Sequence, residues 1–435
     1  MNYDLYDDNG FVANEPLVAF TVTSYPNCYN QEAWNYRCFN VITDTHSNSW
    51  FRAPGTLEAI SSTEEVMERI SYELGMDPLQ VRLNNLDRTK YSDFDEMVNT
   101  LIADSDYNER RIAVNQFNEE NRWKKRGLRF TLMKWSSSTP LFLNITMSVF
   151  HADGSVAITH GGIEMGQGIN TKAIQVCAYF LKIPLNKIFI KPNTTFLNPN
   201  NYPTAASLGS QNVQIGVQRC CEQLLARLDP IKETMTNPTW EELIAKAFLQ
   251  GVNLQANAFT DASDIHNFDV YGVTLAEVEV DVLTGQFQII RVDLLEDVGR
   301  SVNPDIDIGQ VEGAFIMGVG YFTSEETVFD RNTGELLTDR TWNYFVPGGT
   351  DIPQDLRIYF RKKSYSNDAI LGSKLTSEPA TCMGVVIPFA LREAITSSRL
   401  ESGFPSKNWF NIDGPYTVEK IGLACETKLE EFKFY

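Results

Sequence analysis

Apolar residues recur at helical spacing over residues 56–74, where Leu57, Ile60, Val66, Ile70 and Leu74 fall near one face and Gly75 supplies a stop. A second helix is expected to begin near Asp77-Pro78, because proline's missing N–H costs little at an early helical position. Between residues 145 and 160 the period drops to two. Val149 and Val156-Ala157-Ile158 flank Asp153-Gly154, a turn pair that tolerates positive φ, so a hairpin is predicted, ended by Gly161-Gly162. Helical spacing returns over Asn170–Leu181, with the N-cap near Gly168–Asn170, and over 211–228. Thr239-Trp-Glu-Glu reads as the start of another helix, over 239–249. A second hairpin follows at 273–293. There Val278, Val280 and Val282 alternate with Glu279, Asp281 and Leu283, and Thr284-Gly285 turns the chain into Phe287–Val292. Helices over Ile308–Phe322 and Cys382–Ser398 complete the pattern.

The pattern is that of an α+β chain, with hairpins packed against helices and neither an alternating βαβ series nor a short repeat. Its 435 residues leave room for two or three domains, or for one large unit with two lobes. The polar stretch Asp261–Asn267 suggests a soft boundary near 265–270.

Composition narrows the function classes. Apolar residues make up 43% and charged residues 21%, as in an ordinary globular protein. No run of about 18 apolar residues occurs, so no membrane span is expected. The start, Met1-Asn2-Tyr3-Asp4, is too polar and acidic for a signal peptide. A net charge of −19 repels nucleic acid and anionic lipid alike, which argues against both as partners. The seven cysteines are scattered without a C-x-x-C pair and the four histidines are dispersed. This argues against a disulfide framework and against a metal held by the protein itself. A metal carried inside an organic cofactor is compatible with such a chain. The sequons at Asn144 and Asn193 carry meaning only in a secreted protein.

Four segments carry candidate chemistry. Gly161-Gly-Ile-Glu-Met-Gly-Gln-Gly168 places four glycines in eight residues ahead of a helix. Glycine lets the backbone come close to a ligand, and the helix start offers free N–H groups to an anion. Alone, the segment fits a structural turn equally well. Asn201-Tyr-Pro-Thr-Ala-Ala-Ser-Leu-Gly-Ser210 presents hydroxyls and backbone N–H groups before a helix, as an anion loop or a plain capping loop would. In Gly372–Gly384, Glu378 sits among small residues before an apolar helix. Burial there would raise its pKa toward a useful base, whereas a first-turn glutamate complementing the helix dipole is the plain alternative. Arg52, in Phe51-Arg-Ala-Pro-Gly-Thr-Leu57, stands before a turn and a helix, either within reach of an anion or simply on the surface.

Taken together and in this order, the segments resemble the molybdopterin-binding region of xanthine dehydrogenases and aldehyde oxidases. GGIEMGQGINTK is similar to that family's cofactor loop, PTAAS to its second loop, and Asp297–Gly320 (DVGRSVNPDIDIGQVEGAFIMGVG) to its long third segment. GSKLTSEP (Gly372–Pro379) resembles the stretch bearing the catalytic glutamate, and NRWKKRGL (Asn121–Leu128) and GMDPLQVRLNNL (Gly75–Leu86) match as well. The resemblance implies a molybdopterin-binding hydroxylase domain of two lobes with mixed sheets. Residues 1–145 would be the remainder of a first lobe and 146–435 a second lobe carrying the cofactor loops. Gly166, Gln167 and Gly168, then Thr204, Ala205, Ala206, Ser207 and Ser210, would contact the pterin or its phosphate, and Asn303 and Gln310 would line the same cofactor. Arg52 would lie near the substrate, and Glu378 would be the general base in oxidising an aldehyde, or hydroxylating an N-heterocycle, with oxygen from water. The dithiolene of the pterin would hold the molybdenum.

Purine-hydroxylating members usually carry Phe-Arg-Gly-Phe-Gly where this chain has Phe-Arg-Ala-Pro-Gly. Pro54 therefore replaces the second aromatic, and an ungapped count puts Asn35 at the purine-reading arginine. Both departures favour an aldehyde oxidase of the insect type, with a purine hydroxylase as the alternative. Ser377-Glu378-Pro379-Ala380 departs from the usual Gly-Glu-Pro-Pro. The family's FAD domain, its two 2Fe–2S clusters and the first part of the molybdenum region have no counterpart in these residues. The expectation is therefore an N-terminally truncated piece that is inactive and poorly loaded by itself: a fragment, a truncated gene model or a non-catalytic remnant. The family also implies a cytoplasmic homodimer acting on a small-molecule aldehyde.

Overall fold

The computed structural model describes residues 2–11, 17–136, 141–264, 268–405 and 408–432. The chain opens with a two-stranded parallel sheet of β1 (Asn2–Asp8) and β2 (Asn35–Val41), joined through α1 (Val18–Ser24). Four helices follow: α2 (Thr56–Leu74), α3 (Pro78–Asn85), α4 (Asp93–Asp104) and α5 (Tyr107–Glu120). Both predicted helix starts hold. Gly75 closes α2 in the left-handed conformation, and Asp77 caps α3 by accepting from the Gln80 N–H with Pro78 at the first helical position.

Strand β3 (Lys124–Ser136) then enters the largest sheet, but the chain leaves at once to build a second layered unit. Here β4 (Leu143–Val149) and β5 (Val156–His160) form the expected antiparallel hairpin. The cofactor-loop helix α6 (Ile169–Leu181) crosses over to β6 (Ile188–Ile190), which pairs parallel with β5. Next come α7 (Gly209–Lys232), α8 (Trp240–Leu249) with its Thr239/Glu242 capping box, and β7 (Gln255–Thr260). Residues 143, 145, 147 and 149 of β4 and 256 and 258 of β7 point into one core with α6, α7 and α8, as strand periodicity requires.

The chain re-enters the large sheet as β8 (Asp269–Asp281), which pairs antiparallel with β3 over their full length, from Lys124 opposite Asp281 to Ser136 opposite Asp269. Then follow β9 (Phe287–Glu296), α9 (Pro304–Thr323), β10 (Asp355–Phe360), α10 (Ser377–Met383), α11 (Val386–Glu401) and α12 (Val418–Ala424). The sheet order is β10-β9-β8-β3, with β10 parallel to β9 and the other pairs antiparallel. Both faces are covered. Leu128, Phe130 and Leu132 pack with α3 and α4 residues, while Met133 and Trp135 pack with α9, α10 and α11. Residues 145 and 146, where the two lobes were divided, both lie in β4. Of the expected boundary near 265–270, residues 265–267 lie outside the described residues.

The helix expected over Cys382–Ser398 is two helices, α10 and α11, and the first begins at Ser377, so Glu378 stands inside a first turn. Among the described residues, one stretch, Ser377–Glu401, is long and apolar enough to cross a membrane by length and composition alone, which the residue-by-residue pattern did not anticipate. Of its most apolar window, 83% is buried within the protein, which makes it the core packing of a helix pair against the sheet.

Candidate cofactor site

Four chain segments meet around a cavity of about 300 Å³. It is lined by Met165 and Gln167 of the glycine loop, by Lys172 on α6, and by Thr204–Ser207 and Gly209, Ser210, Gln211 and Gln214 at the start of α7. Gln310 of α9 and Ser373–Ser377 ahead of α10 complete the wall. Each segment is fixed locally. Glu164 folds back to accept from the N–H groups of Gly166, Gly168 and Asn170, which shapes the loop into the start of α6. Gly168 has φ +76°, and a Cβ there would stand 2.4 Å from Ile306, so only glycine fits this close approach to α9. Ala206 and Ser207 are both left-handed at φ 56°, a costly conformation for residues with a Cβ and one that concentrates at ligand sites.

The segments are also tied to one another. The Ile163 N–H donates to Thr204 Oγ1 at 2.9 Å, joining the first loop to the second. The Glu378 N–H donates to Ser207 Oγ at 3.1 Å, and Ser377 Oγ donates to Gln310 Oε1 at 3.0 Å. Of the expected contacts, Gln167, Thr204, Ala205, Ala206, Ser207, Ser210 and Gln310 line one cavity, and Glu378 directly follows the lining Ser377. Gln167 turns its amide back on its own loop, accepting from Met165 N–H and donating to Ile163 O, each at 2.7 Å. Gly166, Gly168 and Asn303 support the wall from outside it. Asn303 caps α9 by accepting from the Ile306 N–H and donates to Gln175. Arg52 is not in the wall either, being paired with Glu325.

Electrostatically the cavity suits an anion with polar edges. Lys172 and Lys374 line it with their charges already matched, by Asp307 at 2.5 Å and Asp297 at 2.9 Å respectively, so the attraction for an anion comes from the start of α7. The N-terminal end of the 24-residue α7 adds unpaired N–H groups and the positive end of its dipole. Glu378 keeps part of its surface open, yet burial pushes its carboxyl up to about 7. A second half-buried carboxyl, Glu58, is likewise pushed up to about 7 by burial.

Sequence reasoning missed Lys172, Lys374, Gln211 and Gln214. Lys172 stood inside the quoted GGIEMGQGINTK and Lys374 inside GSKLTSEP, so both were within reach of the motifs. Glutamines on a helix face gave no signal. Gln211 is 5% exposed, and neither its amide oxygen nor its amide nitrogen has a partner in the protein; Gln214 leaves its oxygen unpaired. Buried amides without partners are rare, and a planar heterocycle with donor and acceptor edges would supply them. Hydroxyls and a helix start for a phosphate, beside unpaired amides for a ring, fit molybdopterin. Among the described residues no group of three or more His, Cys, Asp or Glu is placed to hold a metal ion, so a metal here would come with its own ligands.

Comparisons with known proteins name the same cofactor. Models of the molybdopterin cofactor-binding domain match residues 1–86 and 100–353. The chain is 35% identical to a xanthine dehydrogenase of Dictyostelium discoideum, over 98% of this chain and 33% of that protein. It is 34% identical to aldehyde oxidase 1 of Oryctolagus cuniculus, over 98% and 34%. A solved structure of the CO dehydrogenase of Oligotropha carboxidovorans shares its fold with a TM-score of 0.83 at 18% identity, over 97% of this chain and 58% of that one. The matched models define a molybdopterin cofactor-binding region. The chain belongs to the xanthine dehydrogenase and aldehyde oxidase family of molybdenum oxidoreductases, and it spans about a third of the length of the curated relatives it matches.

Proposed function

We propose that this region binds molybdopterin in the cavity between α6, α7 and α9, and that the protein it serves oxidises aldehydes to carboxylic acids with oxygen from water. The convergence of Gln167, Ser207, Gln310 and the Ser377-Glu378 turn, drawn from positions more than 200 residues apart, carries this reading. Bound molybdopterin supplies the two-electron oxidation; the protein positions the reactants and handles the proton. The hydroxyls of Thr204, Ser207 and Ser210 and the α7 N-terminus would hold the phosphate, and Gln211, Gln214 and Gln310 would meet the ring.

Glu378 is the general base. With its carboxyl near 7, it is about half ionised at neutral pH, so it takes a proton from the water-derived nucleophile and releases it again within one cycle. Its backbone N–H is bonded to Ser207, and it directly follows Ser377, both residues of the cavity wall. Pro54, where purine hydroxylases have an aromatic ring, supports aldehyde over purine.

Glu378→Gln in the molybdopterin-loaded protein should keep its molybdenum and lose turnover by about 10²–10⁴-fold. Wild-type turnover in that variant ends the proposal. Benzaldehyde should be oxidised in preference to xanthine, and the reverse ranking would favour the purine reading.

A further inference from the structure

Arg52 is the basic residue that the family resemblance places near the substrate, and its neighbours decide what it can bind. The guanidinium lies over the Phe51 ring, 4.6 Å from its centroid. Nη1 donates to the Met317 carbonyl at 3.0 Å and to Glu325 Oε1 at 2.5 Å. The Glu325 side chain is 2% exposed, and its other oxygen accepts from the Tyr344 hydroxyl at 2.5 Å. Both carboxylate oxygens are therefore occupied, one by a cation and one by a hydroxyl.

The arrangement is built into the fold. A Cβ on Gly320 would stand 2.2 Å from Glu325 Oε1 and 2.5 Å from Pro347, so the absence of a side chain lets both close on the last turns of α9. The arginine segment also abuts the helix that carries Glu378. Ala53 turns through φ 46° into α2, and Met317, whose carbonyl Arg52 binds, precedes Gly318, which packs against the Thr381 carbonyl about one turn beyond Glu378. Arg52 is thus joined through α9 to the helix that carries Glu378, and its charge is already matched. Releasing it would strand a buried carboxylate, which is strongly unfavourable.

We propose that Glu325 is a specificity-determining residue: by holding Arg52 in a neutral pair, it removes an anion site on the side of α9 that packs on the Glu378 helix and selects uncharged aldehydes over aldehydes that carry a carboxylate. The choice of aldehydes rests on the function proposed above; the charge preference does not. The opposing arrangement is an Arg52 that turns its remaining N–H groups on a substrate anion.

Two measurements decide between them. The first needs no turnover: benzamide and benzoate are titrated into the wild-type protein and followed by saturation-transfer NMR, with and without added salt. Benzamide should bind, and benzoate should bind at least about tenfold more weakly, the worth of one charge-assisted hydrogen bond. Benzoate bound as tightly as benzamide, or neither bound, overturns the proposal. In the second, two aldehyde substrates are compared, benzaldehyde and its para-carboxylated analogue. Glu325→Gln should improve apparent binding of the carboxylated aldehyde relative to benzaldehyde, read as the ratio of their Michaelis constants, by about tenfold. Tyr344→Phe, which removes a contact to the same carboxylate without changing charge, should leave that ratio in place. A folded Glu325→Gln with an unchanged ratio, or a Tyr344→Phe that shifts it equally, overturns the proposal. Absence of molybdenum from wild-type protein would sink the proposed function instead, and the benzamide–benzoate comparison would still decide the role of Glu325.

Discussion

Two buried polar regions of this molecule are built on opposite rules. Beneath the first helices, Arg82 lies between Glu64 at 2.7 Å and Glu68 at 3.0 Å, with no side-chain exposure on any of the three. The chain of charges continues through Arg129, which reaches Glu68 at 2.9 Å and Glu393 at 2.6 Å, to Arg111, 2.6 Å from Glu393. Tyr29 and Asn27 complete Glu64, and the Leu128 N–H completes Glu393. Burial alone would lower the basicity of Arg82, but the Glu64 and Glu68 carboxylates outweigh it and raise it. Around the cavity the polar atoms are left open. Gln211 has no partner for either amide atom and Gln214 none for its oxygen; Glu296, wholly buried near Asp297 and Asp307 and outside the cavity lining, has none for either oxygen. Burial first, then those two aspartates, hold the Glu296 carboxyl well above the usual carboxylate range. Where the protein satisfies its own charges the network is architecture; where it leaves them unsatisfied, the wall is shaped for something that is not protein.

The sharpest way to break this contrast is Arg82→Ala. It leaves two carboxylates buried without their cation and should cost about 3–5 kcal/mol, read as a shift in the urea midpoint at constant slope. A loss below about 1 kcal/mol would mean that the network is no more structural than a surface pair.

Next in size is the effect of Glu378 on stability. Its folded pKa, about 7, lies above its ordinary value, so the stability it contributes is fully present below about 4.5 and is lost as pH rises through about 7. Glu378→Gln cannot ionise. It should match wild type near pH 4 and be the more stable by about 2 kcal/mol at pH 8.5, a figure already discounted for the part of the side chain that meets solvent. Urea unfolding of both proteins at the two pH values measures the difference. A gap that is constant with pH, or that favours wild type at pH 8.5, removes the carboxyl from the candidate bases.

Much of this was legible in the chain, for reasons that can be named. The helix over 56–74 and the hairpin around Asp153-Gly154 were clear because one face of each element is buried, so the period shows, and the hairpin around Thr284-Gly285 because β8 alternates at its end, Val278–Asp281, before a glycine turn. Strand β3 gave no such signal: it is covered on both faces, and its buried run from Phe130 to Trp135 has no alternation. Helices α4 and α5 went unread although α4 is amphipathic, with Phe94, Met97, Val98 and Leu101 buried on one face. In the site, glycines, hydroxyls and the single glutamate could be seen because motifs are made of local neighbours. The Arg52–Glu325 pair could not, because 273 residues separate the partners and only the packing of α9 against the arginine segment joins them.

The smallest effect tests the open wall itself. Gln211 lies in the first turn of α7 and lines the cavity, so its cost and its use should separate cleanly. A buried amide with no hydrogen bond carries its desolvation penalty uncompensated, and an apolar side chain of similar size carries none. Gln211→Leu should therefore stabilise cofactor-free protein by about 1 kcal/mol in urea unfolding. The same change should lower the amount of pterin that co-purifies, measured as the fluorescent product of oxidative release, because the ring loses a donor and an acceptor. Both signs are needed. A variant that is less stable and equally well loaded would mean that Gln211 supports the fold through contacts of its hydrocarbon stem, and the distinction between satisfied and open regions would then fail at the residue where it is plainest.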